Sequence, residues 1–175
     1  MRINRYLAEC GLASRRKCES FVLDGEVAVN GKTVTDLATQ VGYGDVVTVG
    51  GKKVNPPRKH VYLIVNKPKG CVTTVSDDKG RKTVMDIVRS DYPDTRLFPV
   101  GRLDYDTEGM LILTTDGDLC NRLTHPTSEI KKVYSARVEG ELSESELARI
   151  RNGVEIDGKM TKKCSAHILK YDNKT

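Results

Sequence analysis

The stretch GRLDYDTEGMLILTTDG at residues 101–117 decides how the second part of the chain folds. Its first half is turn-prone, because Gly and Asp favour turns. Its second half, residues 110–115, is aliphatic and β-branched, and this composition predicts a buried central strand. Asp116-Gly117 predicts the end of that strand. The sequence therefore predicts a loop around Asp104 that leads directly into the core of a sheet.

Residues on both sides of this stretch predict further strands and helices. The predicted strands lie at 61–66, 71–75, 132–139, 154–156 and 163–171. The predicted helices lie at 83–88, 118–124 and 143–150, with a capping box of Ser143 and Glu146 at the start of the last one, and residues 90–99 are predicted to form a loop. Because strands and helices do not alternate strictly, we expect an α+β fold with a mixed, mainly antiparallel sheet.

The first part of the chain predicts a smaller unit of two helices and a small sheet. Apolar residues at helical spacing predict helices at 3–10 and 15–23, and Ser14 can cap the second helix. Asn30-Gly31 and Gly50-Gly51 each predict a tight turn between two short strands. The two helices are therefore expected to pack as a hairpin beside a β-sheet.

Two consecutive prolines, Pro56 and Pro57, indicate a domain boundary. Proline fixes its own backbone and lacks an N–H donor, so the pair predicts an extended spacer. We predict a first domain at residues 1–54, a linker at 55–60 and a second domain at 61–175.

Composition narrows the class of protein. The chain has 175 residues, 38% of them hydrophobic and 30% charged, which is ordinary for one or two globular domains. Its apolar runs are too short to span a bilayer and its first residues lack a secretory signal, so we expect a cytoplasmic protein. Five cysteines occur without a C-x-x-C pair, which argues against a disulfide framework and a zinc site. We expect reduced thiols and no metal.

Cationic residues form two clusters within a formal net charge of +5. One lies at the N-terminus, and the other lies between Asp45 and Asp77, where no acidic residue occurs. Such clusters bind phosphate backbones, although they are also compatible with ordinary solvated faces. The candidate RNA contacts are Arg2, Arg5, Arg15, Arg16, Lys17, Lys52, Lys53, Lys67 and Lys69.

Several motifs in the first domain agree in order with the S4 RNA-binding domain. They are Arg5-Tyr6-Leu7-Ala8, Ala13-Ser14-Arg15-Arg16, Gly25-Glu26-Val27, Val29-Asn30-Gly31 and Gly44-Asp45-Val46-Val47. Residues 2–54 resemble that domain, in which two helices and a small sheet present basic side chains to folded RNA. The resemblance implies an RNA partner.

The stretch at 101–117 resembles the signature of pseudouridine synthases that modify ribosomal RNA. Matching motifs flank it: Asn66-Lys67-Pro68-Lys69-Gly70 upstream, and Leu123-Thr124-His125-Pro126 with Lys131-Lys132-Val133-Tyr134 downstream. The resemblance implies that Asp104 is the catalytic carboxylate, acting at ribose C1′ or on a neighbouring sugar proton, and that Tyr134 is an active-site residue. It implies no cofactor, and a monomer that acts on structured ribosomal RNA or on an assembling particle.

Base flipping adds a third candidate, Arg102. The target uridine must leave its stack, and a planar guanidinium can fill the gap while it also binds phosphate. Tyr134 can lie against the flipped uracil. Each residue has a simpler reading: Asp104 as a turn residue, Arg102 as an ion-pair partner of Asp104 or Asp106, and Tyr134 as a core residue.

The sequence departs from the family pattern near its end. Family members carry a third motif, an Asn-Arg-Gln-type run that supplies a basic partner for the catalytic aspartate, and residues 170–175 do not contain it. The resemblance therefore covers the S4 domain and about two thirds of a catalytic domain. The chain is expected to be a fragment, a natural truncation or an incomplete sequence. A non-catalytic RNA-binding or ribosome-assembly module remains the alternative function.

Overall fold

The computed structural model describes residues 1–136 and 138–169, which group into two compact units, Met1–Lys131 and Lys132–Thr175. The α-helices are α1 (Ile3–Glu9), α2 (Arg15–Leu23), α3 (Gly117–Thr124) and α4 (Glu144–Asn152). The strands are β1 (Val27–Val29), β2 (Lys32–Thr33), β3 (Val47–Val49), β4 (Lys52–Val54), β5 (Tyr62–Lys67), β6 (Phe98–Val100), β7 (Gly109–Thr114), β8 (Glu155–Ile156) and β9 (Lys159–Met160). Short 3₁₀ helices span Val84–Ile87 and Pro126–Ser128. This content confirms the predicted α+β class.

The predicted helix hairpin and small sheet are present at the start of the first unit. The Ser14 side chain accepts a hydrogen bond from the Lys17 backbone N–H at 3.2 Å and so caps α2. The sheet has the order β2-β1-β3-β4, with antiparallel pairing throughout. Asn30 and Gly31 have φ values of 52° and 78°, which the tight turn between β1 and β2 requires. The shared core consists of Ile3, Leu7, Cys18, Val22, Val27, Val41 and Val47.

A second sheet carries the stretch that decided the fold. Its order is β5-β7-β6, so β7 is central, as predicted for the aliphatic run. Leu111 and Leu113 of β7 and Val65 of β5 project into one core with Cys71, Val84, Met85, Val88 and Leu97. Burying a leucine such as Leu113, which is fully buried, contributes about 1.5–3 kcal/mol. The central strand therefore provides a rigid base for the loop that precedes it.

The partners of β7 differ from two predictions. Residues 71–75 do not form the predicted returning strand, because Val72 instead makes a parallel bridge to Thr83. Residues 90–99, predicted as loop, contain the start of β6, whose Phe98 pairs with Thr114. Pro99 in β6 is tolerated because β6 lies at the edge of the sheet, where an N–H donor can be lost without breaking a ladder.

The second unit contains α4 and a small hairpin. The capping box of Ser143 and Glu146 is present, so the predicted helix start is confirmed. Strands β8 and β9 pair around Asp157-Gly158, whose φ values are 50° and 74°. The predicted strand at 154–156 is therefore present, and its partner β9 lies earlier in the chain than the predicted strand at 163–171.

Two strand predictions in the second unit are wrong for the residues that the structure describes. Residues 132–136, 138 and 139 form no strand, and neither do residues 163–169, whereas residues 137, 170 and 171 lie outside the described ranges. Val133 and Tyr134, on opposite phases of the predicted alternation, are both highly exposed. An alternating sequence needs a buried face and a partner strand to become a stable strand.

In the described ranges, no helix has both the length and the apolar character that a membrane span requires. The thiols of Cys18 and Cys71 are buried, and no described cysteine is bonded to another. Burial raises the pKa of the Cys10 thiol to about 12, which keeps it protonated and unreactive at neutral pH.

Candidate active site

Asp104 lies in an exposed loop between β6 and β7. Its backbone carbonyl accepts a hydrogen bond from the Thr107 N–H at 3.1 Å, which closes a turn around Tyr105 and Asp106. Gly101 and Gly109 stand at the two ends of the loop with φ values of 80° and 145°, a region that disfavours side chains with a Cβ. The loop thus leaves one edge strand and enters the central strand with the Asp104 side chain exposed to solvent.

Lys67 lies beneath this loop and is fully buried. Its ammonium group donates to three backbone carbonyl oxygens: Pro68 at 3.0 Å, Tyr105 at 3.3 Å and Thr107 at 2.6 Å. These bonds use all three donors of the ammonium group. The prediction that Lys67 contacts RNA is therefore wrong, since its charged end is enclosed and holds the loop from below.

A sequence signal for the position of Lys67 existed. In β5, Leu63, Val65 and Lys67 alternate with residues on the other face, and the first two contribute to the core. Side chains at i, i+2 and i+4 of a strand share a face. The predicted strand ended at residue 66, and extending its alternation by one residue would have placed Lys67 on the inward face.

The turn after β5 makes a further contact with the loop. The Gly70 N–H donates to the Tyr105 carbonyl oxygen at 2.9 Å, so this oxygen accepts from both Gly70 and Lys67. Gly70 has a φ of 72°, and a Cβ at this position would lie 3.8 Å from the Tyr105 hydroxyl oxygen. The motif Asn66-Lys67-Pro68-Lys69-Gly70 therefore acts through its backbone and its buried lysine.

Thr73 holds the other side of the loop. Its hydroxyl group donates to the Leu103 carbonyl oxygen at 2.7 Å and accepts from the Leu103 N–H at 3.3 Å. Leu103 directly precedes Asp104, and Tyr105 directly follows it. The backbone is therefore fixed by hydrogen bonds on both sides of Asp104. Sequence reasoning missed Thr73, because nothing in its spacing relates it to a loop thirty residues away.

Arg102 is exposed, like Asp104. Within residues 1–136 and 138–169, no ion pair joins Arg102 to Asp104 or to Asp106. The reading of Arg102 as an ion-pair partner of these residues is therefore not supported. Its guanidinium group remains available for an anion or a base.

Tyr134 belongs to the second unit, where it lies outside regular structure with 85% of its surface exposed. The reading of Tyr134 as a core residue is not supported by this exposure. Its role beside a flipped base remains a prediction.

A charged turn lies close to the loop in the first unit. Arg81 forms an ion pair with Asp77 at 2.7 Å, and Arg81 is also within electrostatic reach of the Tyr105 hydroxyl group. Hydrogen bonds from the Arg81 side chain and backbone lower the pKa of Asp77 to about 2. This pair was not identified from the sequence.

Carboxylates after β7 have structural roles. Asp116 accepts hydrogen bonds from the Asp118 and Leu119 N–H groups and caps α3. The bond from Leu119 lowers the pKa of Asp116, and the Tyr62 hydroxyl donates to the same side chain at 2.8 Å. No group of three or more His, Cys, Asp or Glu side chains in the described part of the chain could hold a metal ion.

Most candidate RNA contacts are exposed. Exposed candidates are Arg2, Arg15, Arg16, Lys17, Lys52, Lys53 and Lys69. Arg5 differs, because it pairs with Glu9 at 2.8 Å and with Asp118 at 2.6 Å. A hydrogen bond to Glu9 and the charge of Asp118 raise the pKa of Arg5. Any anion that binds Arg5 must therefore compete with two carboxylates.

Two family models match the chain. The family model for RNA pseudouridylate synthase matches residues 61–174, and the model for the S4 domain matches residues 1–47. The chain belongs to the RNA pseudouridylate synthase family. Family membership confirms the resemblance seen in the sequence and assigns the chain to a class of isomerases.

Similar pseudouridine synthases occur in several bacteria. One RNA pseudouridine synthase of Aquifex aeolicus is 46% identical over 176 residues, covering 99% of this chain and 70% of the relative. The ribosomal large subunit pseudouridine synthase B of Bacillus subtilis is 41% identical over 173 residues, covering 99% and 70%. The dual-specificity RNA pseudouridine synthase RluF of Escherichia coli is 37% identical, covering 94% of this chain and 56% of the relative.

A solved pseudouridylate synthase supports the fold. Its crystal structure matches 97% of this chain and 73% of that chain, with a TM-score of 0.56 and 26% sequence identity. The pseudouridine synthase fold is thus shared along almost the whole chain.

Proposed function

We propose that the chain isomerises a uridine to pseudouridine in ribosomal RNA, with Asp104 as the catalytic carboxylate. The observation that carries the proposal is the combination of an exposed Asp104 side chain with backbone hydrogen bonds to both of its neighbours, Leu103 and Tyr105. A carboxylate must be held in a fixed orientation to act efficiently on a sugar, because misplacement by about 1 Å can cost a hundredfold in rate. The family description indicates RNA, and the name of the Bacillus relative favours ribosomal RNA as the substrate.

The reaction proceeds through an extruded nucleotide. The C1′–N1 bond breaks, the uracil rotates and C1′ bonds to C5. C5 then loses its proton and N1 gains one, so that no outside reagent is consumed. Asp104 attacks C1′ or removes a neighbouring sugar proton. Arg102 fills the gap in the RNA stack, and Tyr134 lies against the flipped uracil, with its hydroxyl free for a hydrogen bond. No cofactor takes part.

RNA is held by the first domain and the turn after β5. The exposed cations Arg15, Arg16 and Lys17 lie on the first turn of α2, and Lys52 and Lys53 lie on β4. They release counterions when they bind phosphate. In this proposal residues 1–54 form the RNA-binding domain, 55–60 the linker and 61–175 the catalytic domain. The protein acts as a cytoplasmic monomer on folded RNA or an assembling ribosomal particle.

The test is modification of RNA by the chain itself. Unmodified ribosomal RNA is incubated with the chain, and pseudouridine is mapped. We expect one new site, which disappears with Asp104→Asn. Asp106→Asn is the matched control, because Asp106 is exposed in the same turn, and it should retain the modification. Retained modification by Asp104→Asn would remove Asp104 from the chemistry.

A second candidate is an RNA-binding or ribosome-assembly module without turnover. The exposed Tyr134 in residues that form no strand favours it, since an active-site aromatic ring normally needs a fixed position. This candidate predicts salt-sensitive RNA binding and no modification at any position.

A further inference from the structure

Thr73 makes a two-way contact with the residue before the proposed catalytic carboxylate. Its hydroxyl oxygen lies 2.7 Å from the Leu103 carbonyl oxygen and 3.3 Å from the Leu103 nitrogen. One hydroxyl group can donate its proton and accept another at the same time. The side chain of Thr73 thus satisfies both backbone groups of Leu103, as a neighbouring strand would.

The backbone next to Thr73 is held in place by hydrogen bonds and by a buried side chain. The adjacent Val72 donates from its N–H to the Lys82 carbonyl at 2.9 Å and accepts from the Val84 N–H at 3.0 Å. Cys71, one residue earlier, is fully buried in the core. A group that orients a functional residue is effective when its own support cannot move. The Thr73 hydroxyl therefore links the loop by hydrogen bonds to a segment that is fixed to the core.

We infer that Thr73 is a positioning residue for Asp104, acting through the backbone of Leu103. The inference rests on the proposed catalytic role of Asp104. Lys67 and Gly70 fix the loop after Asp104, at the Tyr105 carbonyl. Thr73 fixes it before Asp104. With only one side held, the peptide plane between Leu103 and Asp104 can rotate, and the carboxylate loses its fixed direction.

The test compares three substitutions in the complete chain. Thr73→Val keeps the size of the side chain but removes the hydroxyl group, and Thr73→Ser keeps the hydroxyl group. Thr74→Val is the matched control, because the Thr74 hydroxyl bonds to the Ser76 carbonyl at 2.7 Å rather than to the loop. Turnover of uridine in ribosomal RNA gives kcat and KM for each variant. Backbone amide exchange at Leu103 reports directly on the contact.

For Thr73→Val we expect kcat to fall about tenfold to a hundredfold, with KM within about twofold and faster exchange at Leu103. Thr73→Ser should stay within about threefold of the unaltered chain, and Thr74→Val should match it. If Thr73→Val does not fold, Thr73→Ala carries the same expectation without adding a methyl group.

The outcomes separate this inference from the proposed function. Unchanged kcat in Thr73→Val, an equal loss in Thr74→Val, or a loss confined to KM overturns the role of Thr73 while Asp104→Asn remains inactive. A chain without turnover, or turnover by Asp104→Asn, overturns both, because the role of Thr73 is defined through Asp104.

Discussion

The ammonium group of Lys67 lies 2.6 Å from the Thr107 carbonyl oxygen, so a charge enclosed in the first unit supports the loop that carries Asp104. The described partners of the ammonium group are three backbone carbonyl oxygens and not a carboxylate. A buried charge is tolerated when every donor is used. The loop and the lysine therefore stabilise each other.

Replacing Lys67 by Met should destabilise the fold by about 2–4 kcal/mol, because three carbonyl oxygens each lose a hydrogen bond while the volume is kept. Urea unfolding measures the change. Lys69→Met is the matched control, since Lys69 is exposed, and it should shift stability by less than about 0.5 kcal/mol. Equal stability of the two variants would contradict the supporting role of Lys67.

Replacing both Arg15 and Arg16 by Ala should weaken RNA binding and reduce its dependence on salt. Each lost phosphate contact lowers the slope of log affinity against log salt by about 1. Affinity is measured over a range of salt concentrations. The double variant Lys162→Ala with Lys163→Ala removes two exposed cations outside both clusters and serves as the control. An unchanged slope in the Arg15 and Arg16 variant would exclude these residues from the interface.

Replacing Asp118 by Asn should remove one of the two carboxylates that pair with Arg5 and raise the affinity for RNA. An exposed ion pair contributes only about 0–1 kcal/mol, so stability should hardly change. Because Asp118→Asn also removes a charge that repels phosphate, the same substitution is measured in an Arg5→Gln background. The gain should be smaller there, because only the general loss of negative charge remains. A gain of equal size in both backgrounds would mean that Arg5 does not bind RNA.

The acid titration of Asp77 should depend on Arg81. The folded-state pKa of about 2 is below the ordinary 3.8, so the pair contributes stability above pH 3.8 that is lost as the pH falls through about 2. Arg81→Gln should move the pKa back toward 3.8, as followed by NMR of the Asp77 carboxyl carbon. Lys79→Gln, which alters an exposed neighbouring cation, should leave it low. If the pKa of Asp77 stays low in Arg81→Gln, a group other than the Arg81 side chain lowers it.

Local signals in the sequence predicted the elements whose cause is also local. Asn30-Gly31 specified its turn, Ser143 with Glu146 specified the start of α4, and the aliphatic run specified β7. The sequence was less informative about which strands pair with one another. The strand that pairs with the second edge of β7 contains Pro99, which sequence rules penalise, and its pairing is decided by distant residues.

The residues of the candidate site also fall into those that a local motif predicted and those that only a tertiary contact reveals. Asp104 and Arg102 were identified because a motif marks them, and the structure shows both exposed in the loop. Lys67 was assigned to RNA because it belongs to a cationic cluster and the predicted strand ended one residue before it, whereas β5 includes it. Thr73 could not be found, because its importance arises from a tertiary contact with Leu103.

The bonds from Lys67 and Gly70 reach main-chain oxygens at positions 105 and 107, not side chains. Exchange of Tyr105 or Thr107 for another residue leaves those oxygens in place, whereas inserting or deleting a single residue would shift each of them out of reach. Proteins descended from this sequence should therefore tolerate substitutions at positions 105 and 107. They should keep the number of residues between these two positions unchanged.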